Sequence, residues 1–179
     1  MVRDILLVAT IGAGPVGDAW ATAQQFPNLF RRIFAEGAFA SAFVPTYART
    51  LEAEGPEAAR AVAQEAMRVL FAATAALTIL AQIFMPWVLL LIHGGQADDP
   101  EHYNLAVLLT RVTMPYLTFM ALAALLSGVL NSSERFILSA GVPTLLNLCL
   151  IPAALISDDP VTTAKAASIA YFIAGVLQA

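Results

Sequence analysis

The chain has 179 residues, of which 59% are hydrophobic and only 12% are charged, and its formal net charge at pH 7 is -4. Soluble domains carry about a quarter charged residues, and a domain of this length has too much surface to hide so many apolar side chains. The composition therefore predicts an integral membrane protein and excludes a water-soluble fold, and the acidic balance gives no support to a nucleic-acid partner.

Six apolar segments predict an all-α membrane domain, because a helix needs roughly 20 mostly apolar residues to cross a bilayer. The predicted helices are residues 2–14, 19–48, 69–92, 105–132, 136–157 and 163–179. The first is short and opens at the N-terminus, and the last stops without a glycine cap or a polar tail. Both end helices are therefore expected to be incomplete, and the chain is expected to be a fragment of a larger protein.

The charges between the helices predict an orientation. Arginines occur in the connections 49–68 and 131–135, whereas the connections that alternate with them contain acids and no Lys or Arg. The positive-inside rule then places the arginine connections and the N-terminus in the cytoplasm. Lys165, at the predicted outer start of the last helix, does not follow the rule. Within the first arginine connection, a separate helix is predicted to begin near Pro56, because proline suits the first turn of a helix.

The most informative segment is QQFPNLFRRIFAEGAFASAFVP, which places Arg31, Arg32 and Glu36 among apolar residues. An ionisable group at membrane depth costs about 2.5–3.5 kcal/mol on insertion scales unless it pairs or faces water. Arg32 and Glu36 are four residues apart and are predicted to pair on one helix face. Arg31 shares a second face with Asn28 and small residues. The segment predicts a helix that lines a wet cavity, and an extracellular loop between two re-entrant pieces stays the alternative.

The other ionisable residues each have an interpretation that requires no functional site. Arg3 is either a cytoplasmic anchor at a helix start or part of a site, and Asp18 lies in the predicted turn GAGPVGD, where it is suited to cap the next helix. Arg111 is expected to snorkel toward the membrane surface. His93 and His102 are nine positions apart with no third ligand nearby, so no metal site is predicted.

The motifs that are absent from the sequence narrow the function. No phosphate-binding G-x-x-x-x-G-K-[ST] loop and no H-E-x-x-H motif occurs, so neither an enzyme nor a cofactor is predicted. Arginine binds phosphate through a fork of two donors. Arginines in a membrane cavity therefore predict transport or recognition of an anionic amphiphile.

The same segment carries a family resemblance. PNLFRRIFAEGAFASAFVP resembles the signature of the MurJ (MviN) family, the lipid II flippases of bacterial cell-wall synthesis. VRDILLVATIGAGPVGDAW is similar to that family's first helix and first outer turn, and LNSSERF to the turn after its fourth helix. VPTLLNLCLI and GVLQ resemble its fifth and sixth helices. The resemblance covers essentially the whole chain.

The resemblance implies a fold and a substrate. The fold is a fourteen-helix transporter of the MOP exporter superfamily, of which this chain would be part of the N-terminal lobe. The substrate is lipid II, an undecaprenyl-diphosphate-linked disaccharide pentapeptide. It moves from the inner to the outer leaflet of the bacterial cytoplasmic membrane by alternating access.

The resemblance also assigns residues to a cationic cavity that holds the diphosphate. Arg3 and Asp4 match the arginine–aspartate pair of the first helix, and Arg31 matches an arginine of the second helix that is regarded as essential. Other characteristic positions of the family are matched by Arg32, Asn28, Glu36 and Asp18.

Two departures from the family pattern limit what the chain is expected to do alone. The first helix lacks its N-terminal half, with a further arginine, and the second lobe is absent. One lobe cannot close around a substrate, so the fragment is expected to be inactive. Two alternatives stay open: another MOP-type exporter, of a drug or a different polyprenyl-linked sugar, and a membrane scaffold that transports nothing.

Overall fold

The computed structural model describes residues 2–35, 38–92, 100–132 and 136–179, with the side chains of residues 2, 30–35, 38–40, 131–132, 136–140 and 142–143 excepted. These residues form eight helices and no strand. The helices are α1 (Val2–Ile11), α2 (Pro15–Ala35), α3 (Ala38–Glu54), α4 (Pro56–Ile92), α5 (Pro100–Thr113), α6 (Tyr116–Ser132), α7 (Phe136–Ala154) and α8 (Pro160–Gln178).

Three helical segments of the described chain are long and apolar enough to cross a membrane. They are Pro56–Ile92, Pro100–Leu130 and Pro160–Gln178, and Thr144–Ala154 is a shorter apolar helix. Large apolar side chains on them lie exposed, as Leu91 does with 87% of its surface accessible. The all-α membrane class predicted from composition is therefore confirmed, whereas the count of six spans stays a prediction.

Helix α4 is longer than the sequence predicted. A separate helix near Pro56 and a span over residues 69–92 were expected, but the structure joins them into one helix of 37 residues. No glycine or proline interrupts the stretch between Pro56 and Pro86, and alanine, glutamate and arginine are strong helix formers. The helix is about 55 Å long against a hydrocarbon core of about 30 Å, so one end extends beyond the core.

The segment predicted as one helix over residues 105–132 begins earlier and is divided in the structure. It starts at Pro100 and separates into α5 and α6 at Met114 and Pro115. Proline has no N–H and clashes with the preceding turn, which favours an interruption of the helix at this position. The Leu117 N–H donates to the Met114 carbonyl over 3.0 Å, so the chain tightens into a turn at this point.

The remaining helix ends also differ from prediction. α1 ends at Ile11 rather than residue 14, because Gly12 has a φ of 78° that a right-handed helix cannot contain. α7 ends at Ala154, and α8 begins at Pro160. The helix predicted over residues 19–48 begins at Pro15, and its region extends through α3 to Glu54, with residues 36 and 37 outside the described chain.

Two apolar clusters hold the helices together. The larger cluster joins every helix except α3, through buried side chains that include Trp20, Leu109, Leu117, Leu150 and Tyr171. The smaller cluster joins α3, α4 and α6 through Phe43, Tyr47, Ala59, Leu70 and Leu125. α2 packs most extensively on α5, and α7 on α8. One face of α2 is therefore fixed against the rest of the bundle.

Side chains from neighbouring helices bond two carbonyls that prolines leave without their helical partner. Pro27 in α2 cannot donate to the Ala23 carbonyl, which instead accepts from the Thr113 hydroxyl of α5 over 3.1 Å, a hydroxyl that is shared with the Thr110 carbonyl at the same distance. Pro115 cannot donate to the Arg111 carbonyl, which accepts from Gln82 Nε2 of α4 over 2.7 Å. Because an unsatisfied carbonyl is costly where water is excluded, these bonds make the prolines tolerable and fix the contact between helices.

Replacing Thr113 with valine should destabilise the protein by about 1 kcal/mol. The two side chains have nearly the same shape, so the change removes the hydroxyl and leaves the Ala23 carbonyl buried without a donor. The matched control is Thr74→Val. Thr74 is also fully buried, but its hydroxyl donates within its own helix to Leu70, whose carbonyl keeps a backbone partner. Unfolding in mixed detergent micelles measures both changes, and equal losses would contradict the role given to Thr113.

The start of α8 is held by an aspartate cap. Asp159 has an extended backbone, and its Oδ2 accepts from the Thr162 hydroxyl over 2.6 Å and from the Thr162 N–H over 2.8 Å. These two bonds, the hydroxyl first, hold the pKa of Asp159 below its ordinary value of 3.8. A carboxyl whose pKa is lowered by folding stabilises the fold above its unfolded pKa, and this stabilisation is lost as the pH falls through the folded pKa.

We therefore expect Asp159→Ala to lower the melting temperature at pH 7, and the difference from the unchanged protein to shrink as the pH falls below about 3.8. Tryptophan fluorescence during heating, at several pH values, gives the measurement. Asp159→Asn is the control, because asparagine caps helices without titrating. If the melting temperature of Asp159→Ala is lower than that of the unchanged protein by the same amount at all pH values, the carboxylate does not act through its charge.

Candidate functional site

Arg3 and Asp4 form an ion pair near the start of α1. Arg3 donates to Asp4 Oδ1 from Nε over 3.0 Å and from an Nη over 2.5 Å. The Arg3 side chain is 23% exposed and that of Asp4 52% exposed. Arg3 is four and eight residues before Leu7 and Ile11, which are buried in the larger cluster. The guanidinium is thus half-sheltered at the edge of the core, with its carboxylate partner on the open side.

Helix α2 has one buried face and one open polar face. Ala19, Trp20, Ala23 and Pro27 are buried against the bundle. The opposite face, which we call the α2 polar face, exposes Asp18, Gln25 and Asn28, with Ala21 between them. Their spacing of three, four and three residues keeps them on one side of a helix. Three polar side chains on one open face of a helix suit water or a polar ligand better than lipid, and the position of α2 within the membrane stays a prediction.

An aromatic cluster fixes the buried face of α2. The Trp20 ring meets the Tyr171 ring of α8 edge-on with a centroid distance of 5.8 Å, and Tyr171 meets Tyr116 of α6 at 5.3 Å. Such edge-to-face contacts add about 0.5–1.5 kcal/mol to the area they bury. Because the cluster sets the rotation of α2 about its axis, it also determines which residues stand on the α2 polar face.

Arg3, Gln25 and Asn28 lie well along their helices from the α1–α2 connection, whereas Asp18 lies next to it. At 1.5 Å per residue, Arg3 is about 12 Å from the end of α1, and Gln25 and Asn28 are about 15 Å and 20 Å from the start of α2. Asp18 is in the first turn of α2, where its backbone N–H donates to Gly14; it does not occupy the cap position suggested as its alternative role. Its negative charge still interacts favourably with the positive, N-terminal end of the helix dipole.

The backbone of α2 contains Arg31 and Arg32, whose side chains are outside the described part of the structure. Glu36 is outside it altogether, so the predicted Arg32–Glu36 pair and the face of Arg31 stay predictions. The described site residues are one arginine with two aspartates and one asparagine. A cationic character for this site therefore depends on Arg31 and Arg32.

Sequence reasoning missed Gln25. Its signal was present, because Gln25 stands three residues before Asn28 and seven after Asp18, which is a helical repeat. Arg111 was expected to snorkel from a helix end, but it is about 16 Å along the helix from Pro100. Its Nε is buried and has no hydrogen-bond partner among the described residues. Arg111 as a whole is only partly buried, so snorkelling of its terminal nitrogens stays a prediction.

The sequence matches one protein family over most of its length. The profile of the family described as "Lipid II flippase MurJ" matches residues 7–179. "Probable lipid II flippase MurJ" of Rhizobium tropici is 44% identical over 98% of this chain and 34% of its own length. "Lipid II flippase MurJ" of Burkholderia cenocepacia is 36% identical over 99% of this chain and 35% of its own length.

A third relative gives the same picture. "Probable lipid II flippase MurJ" of Rickettsia prowazekii is 38% identical over 99% of this chain and 35% of its own length. The chain thus spans about a third of the curated relatives it matches. The resemblance that rested on the arginine segment is confirmed by matches that extend over nearly every residue. The chain belongs to the MurJ family of lipid II flippases.

Proposed function

We propose that the protein moves lipid II from the inner to the outer leaflet of the bacterial cytoplasmic membrane. Two findings support this proposal: the family membership, and the α2 polar face, which leads along the same helix to Arg31 and Arg32. The polar face is the structural observation that carries it. A membrane helix with this face open needs water or a polar ligand beside it. The lipid-linked diphosphate of the family's substrate is such a ligand.

The residues of the site take distinct roles in this proposal. Arg31 and Arg3 bind the diphosphate, because a guanidinium presents paired donors to phosphate oxygens. Asp4 holds Arg3 in position through their ion pair. Asn28, and with it Gln25, donates hydrogen bonds beside the phosphates. Arg32 pairs with Glu36, and Asp18 stabilises the start of α2.

Translocation needs an energy source and two access states. The sequence contains no nucleotide-binding loop, so we propose coupling to an ion or to the membrane potential in place of ATP. Moving one charge across the membrane potential is worth about 2.3 kcal/mol per 100 mV, which is enough to bias two states. Residues 1–179 alone are proposed to be inactive, since they supply one wall of the cavity.

The test is rescue of cells depleted of their own lipid II flippase by the protein expressed from its complete gene. We expect growth to return and lipid II to become accessible on the outer leaflet. Growth without outer-leaflet lipid II would assign the protein to export of another molecule. Failure of rescue by an abundant, correctly inserted protein would reject the proposal. Expression of residues 1–179 alone is expected to give no rescue.

The proposed topology has its own prediction. With the N-terminus in the cytoplasm, Ala13 between α1 and α2 faces outward, and Glu54 at the end of α3 faces inward. Cys149, the single cysteine of residues 1–179, is first replaced with alanine in a cysteine-free background. We then expect cysteine at position 13, and not at position 54, to react with a membrane-impermeant maleimide in intact cells. Lysed cells, where both should react, are the control. The reverse labelling pattern would invert the topology and contradict the proposal.

A further inference from the structure

A groove of about 410 Å³ lies where α2, α5 and α8 begin. Glu101, His102 and Asn104 of α5 and Lys165 of α8 give it a polar part. Val16, Leu105, Leu108 and Val161 give it an apolar part. The groove is at the end of the bundle that carries the α1–α2 connection, whereas the arginines of α2 are toward the other end of that helix. It is therefore separate from the proposed diphosphate site.

Polarity changes along the groove in one direction. On α5, Glu101 and His102 are in the first turn, and Leu105 and Leu108 follow one and two turns deeper, so Leu108 is about 10 Å below Glu101 along the axis. Leu108 keeps 46% of its surface exposed at that depth, so the groove opens to the side. A polar end near the membrane surface with an apolar extension toward the bilayer centre matches the shape of a lipid molecule.

The charges at the polar end match a zwitterion. Among the residues that the structure describes, the groove is lined by one ammonium, that of Lys165, and one carboxylate, that of Glu101, with the His102 imidazole on the same turn of α5 as Glu101. An anionic headgroup would meet an attraction at Lys165 and a repulsion at Glu101, whereas a group carrying both signs would meet an attraction at each. Lys165 also breaks the positive-inside pattern of the sequence, and a role in binding gives a reason for a lysine at this place.

We propose that this groove binds a phospholipid with a phosphoethanolamine headgroup. Lys165 binds the phosphate, the Glu101 carboxylate accepts from the primary ammonium, and an acyl chain follows Leu105 and Leu108 toward the bilayer centre. The choice of headgroup follows from hydrogen bonding, because a primary ammonium has three N–H donors and the trimethylated ammonium of phosphocholine has none. This inference does not depend on the proposed flippase activity.

The experiment is native mass spectrometry of the delipidated protein, expressed from its complete gene and titrated with phosphatidylethanolamine, phosphatidylcholine or phosphatidylglycerol. We expect phosphatidylethanolamine to bind about tenfold more tightly than phosphatidylcholine. The double change Lys165→Gln with Glu101→Gln should bring the two affinities together. The change Glu101→Lys should transfer the preference to phosphatidylglycerol, because the groove then carries two ammonium groups.

The matched control is Arg60→Gln with Glu57→Gln, which removes one charge of each sign from exposed positions near the start of α4. It should leave the preference unchanged. Equal binding of all three lipids would overturn the proposal, as would a preference that survives the double change. A wild-type preference for phosphatidylglycerol would identify an anionic-lipid site instead. Absence of any bound lipid, as expected if another part of the protein fills the groove, would also overturn it.

Discussion

Replacing Arg31 with alanine in the complete gene should abolish rescue of flippase-depleted cells. Arg31 is in α2 one turn beyond Asn28, which the structure leaves exposed on the α2 polar face. Removing one partner of a desolvated, hydrogen-bonded charge pair costs about 2–5 kcal/mol. We therefore expect lipid II transport to fall by about 30-fold or more, because each 1.4 kcal/mol is a factor of ten. Transport is measured as lipid II accessible on the outer leaflet.

Two further variants make the Arg31 result specific. Arg31→Lys keeps the charge and loses the fork of donors, so intermediate transport is expected. Arg60→Ala is the matched control, because Arg60 is exposed near the start of α4, outside the candidate site, and its removal should leave transport intact. Immunoblotting corrects for protein abundance. Normal rescue by Arg31→Ala would remove the diphosphate role from this residue and leave the flippase proposal to be judged by the other variants.

The second large effect is expected at Gly17, in the first turn of α2. A Cβ atom at this position would overlap the carbonyl oxygen of Gly12, and a backbone atom cannot rotate away as a flexible side chain can. We expect Gly17→Ala to destabilise the protein by about 2–3 kcal/mol, since overpacking of a rigid contact has costs of this size. The consequence extends to the site, because this contact sets how α2 leaves α1 and hence where the α2 polar face lies relative to Arg3.

The control for Gly17 is Gly141→Ala in α7. Gly141 is exposed, and a Cβ there meets no described atom within 4 Å. Alanine is a better helix former than glycine by about 1 kcal/mol, so this change should be neutral or stabilising. Melting temperatures of both variants in the same detergent give the comparison. A Gly17→Ala protein as stable as the unchanged one would show that the close approach to Gly12 is not required.

Proline positions show how much of the fold is readable from sequence. Pro15, Pro56, Pro100 and Pro160 each begin a helix, as the lack of an N–H predicts. Pro115 divides a predicted helix, whereas Pro27, Pro45 and Pro86 remain inside helices. Local chemistry does not distinguish these outcomes. At Pro27 the difference is a hydroxyl from residue 113, which is 90 positions away in sequence and adjacent only in the fold.

The candidate site also depends partly on features readable from the sequence and partly on contacts between distant segments. The sequence identified Arg3, Asp4, Asn28 and Asp18 as polar residues in an apolar chain, and the helical repeat was available to identify Gln25 as well. Arg3 and Asp4 are adjacent in sequence, which separates their side chains by about 100° around a helix, so their ion pair is a finding of the structure and does not follow from spacing. The open side of α2 depends on Trp20 packing against Tyr171, a contact between distant segments. No periodicity in α2 specifies which neighbour covers which face.

By itself, the sequence determined the membrane class and the family. Both follow from properties that need no neighbours: too many apolar side chains to hide from water, and a continuous arginine-containing motif. The tertiary structure alone decided which face of α2 is open, which donors bond the carbonyls freed by prolines, and where the groove between α2, α5 and α8 lies. The physical reason is that burial and hydrogen bonding in a helical bundle are properties of contacts between helices, and each helix carries only half of every such contact.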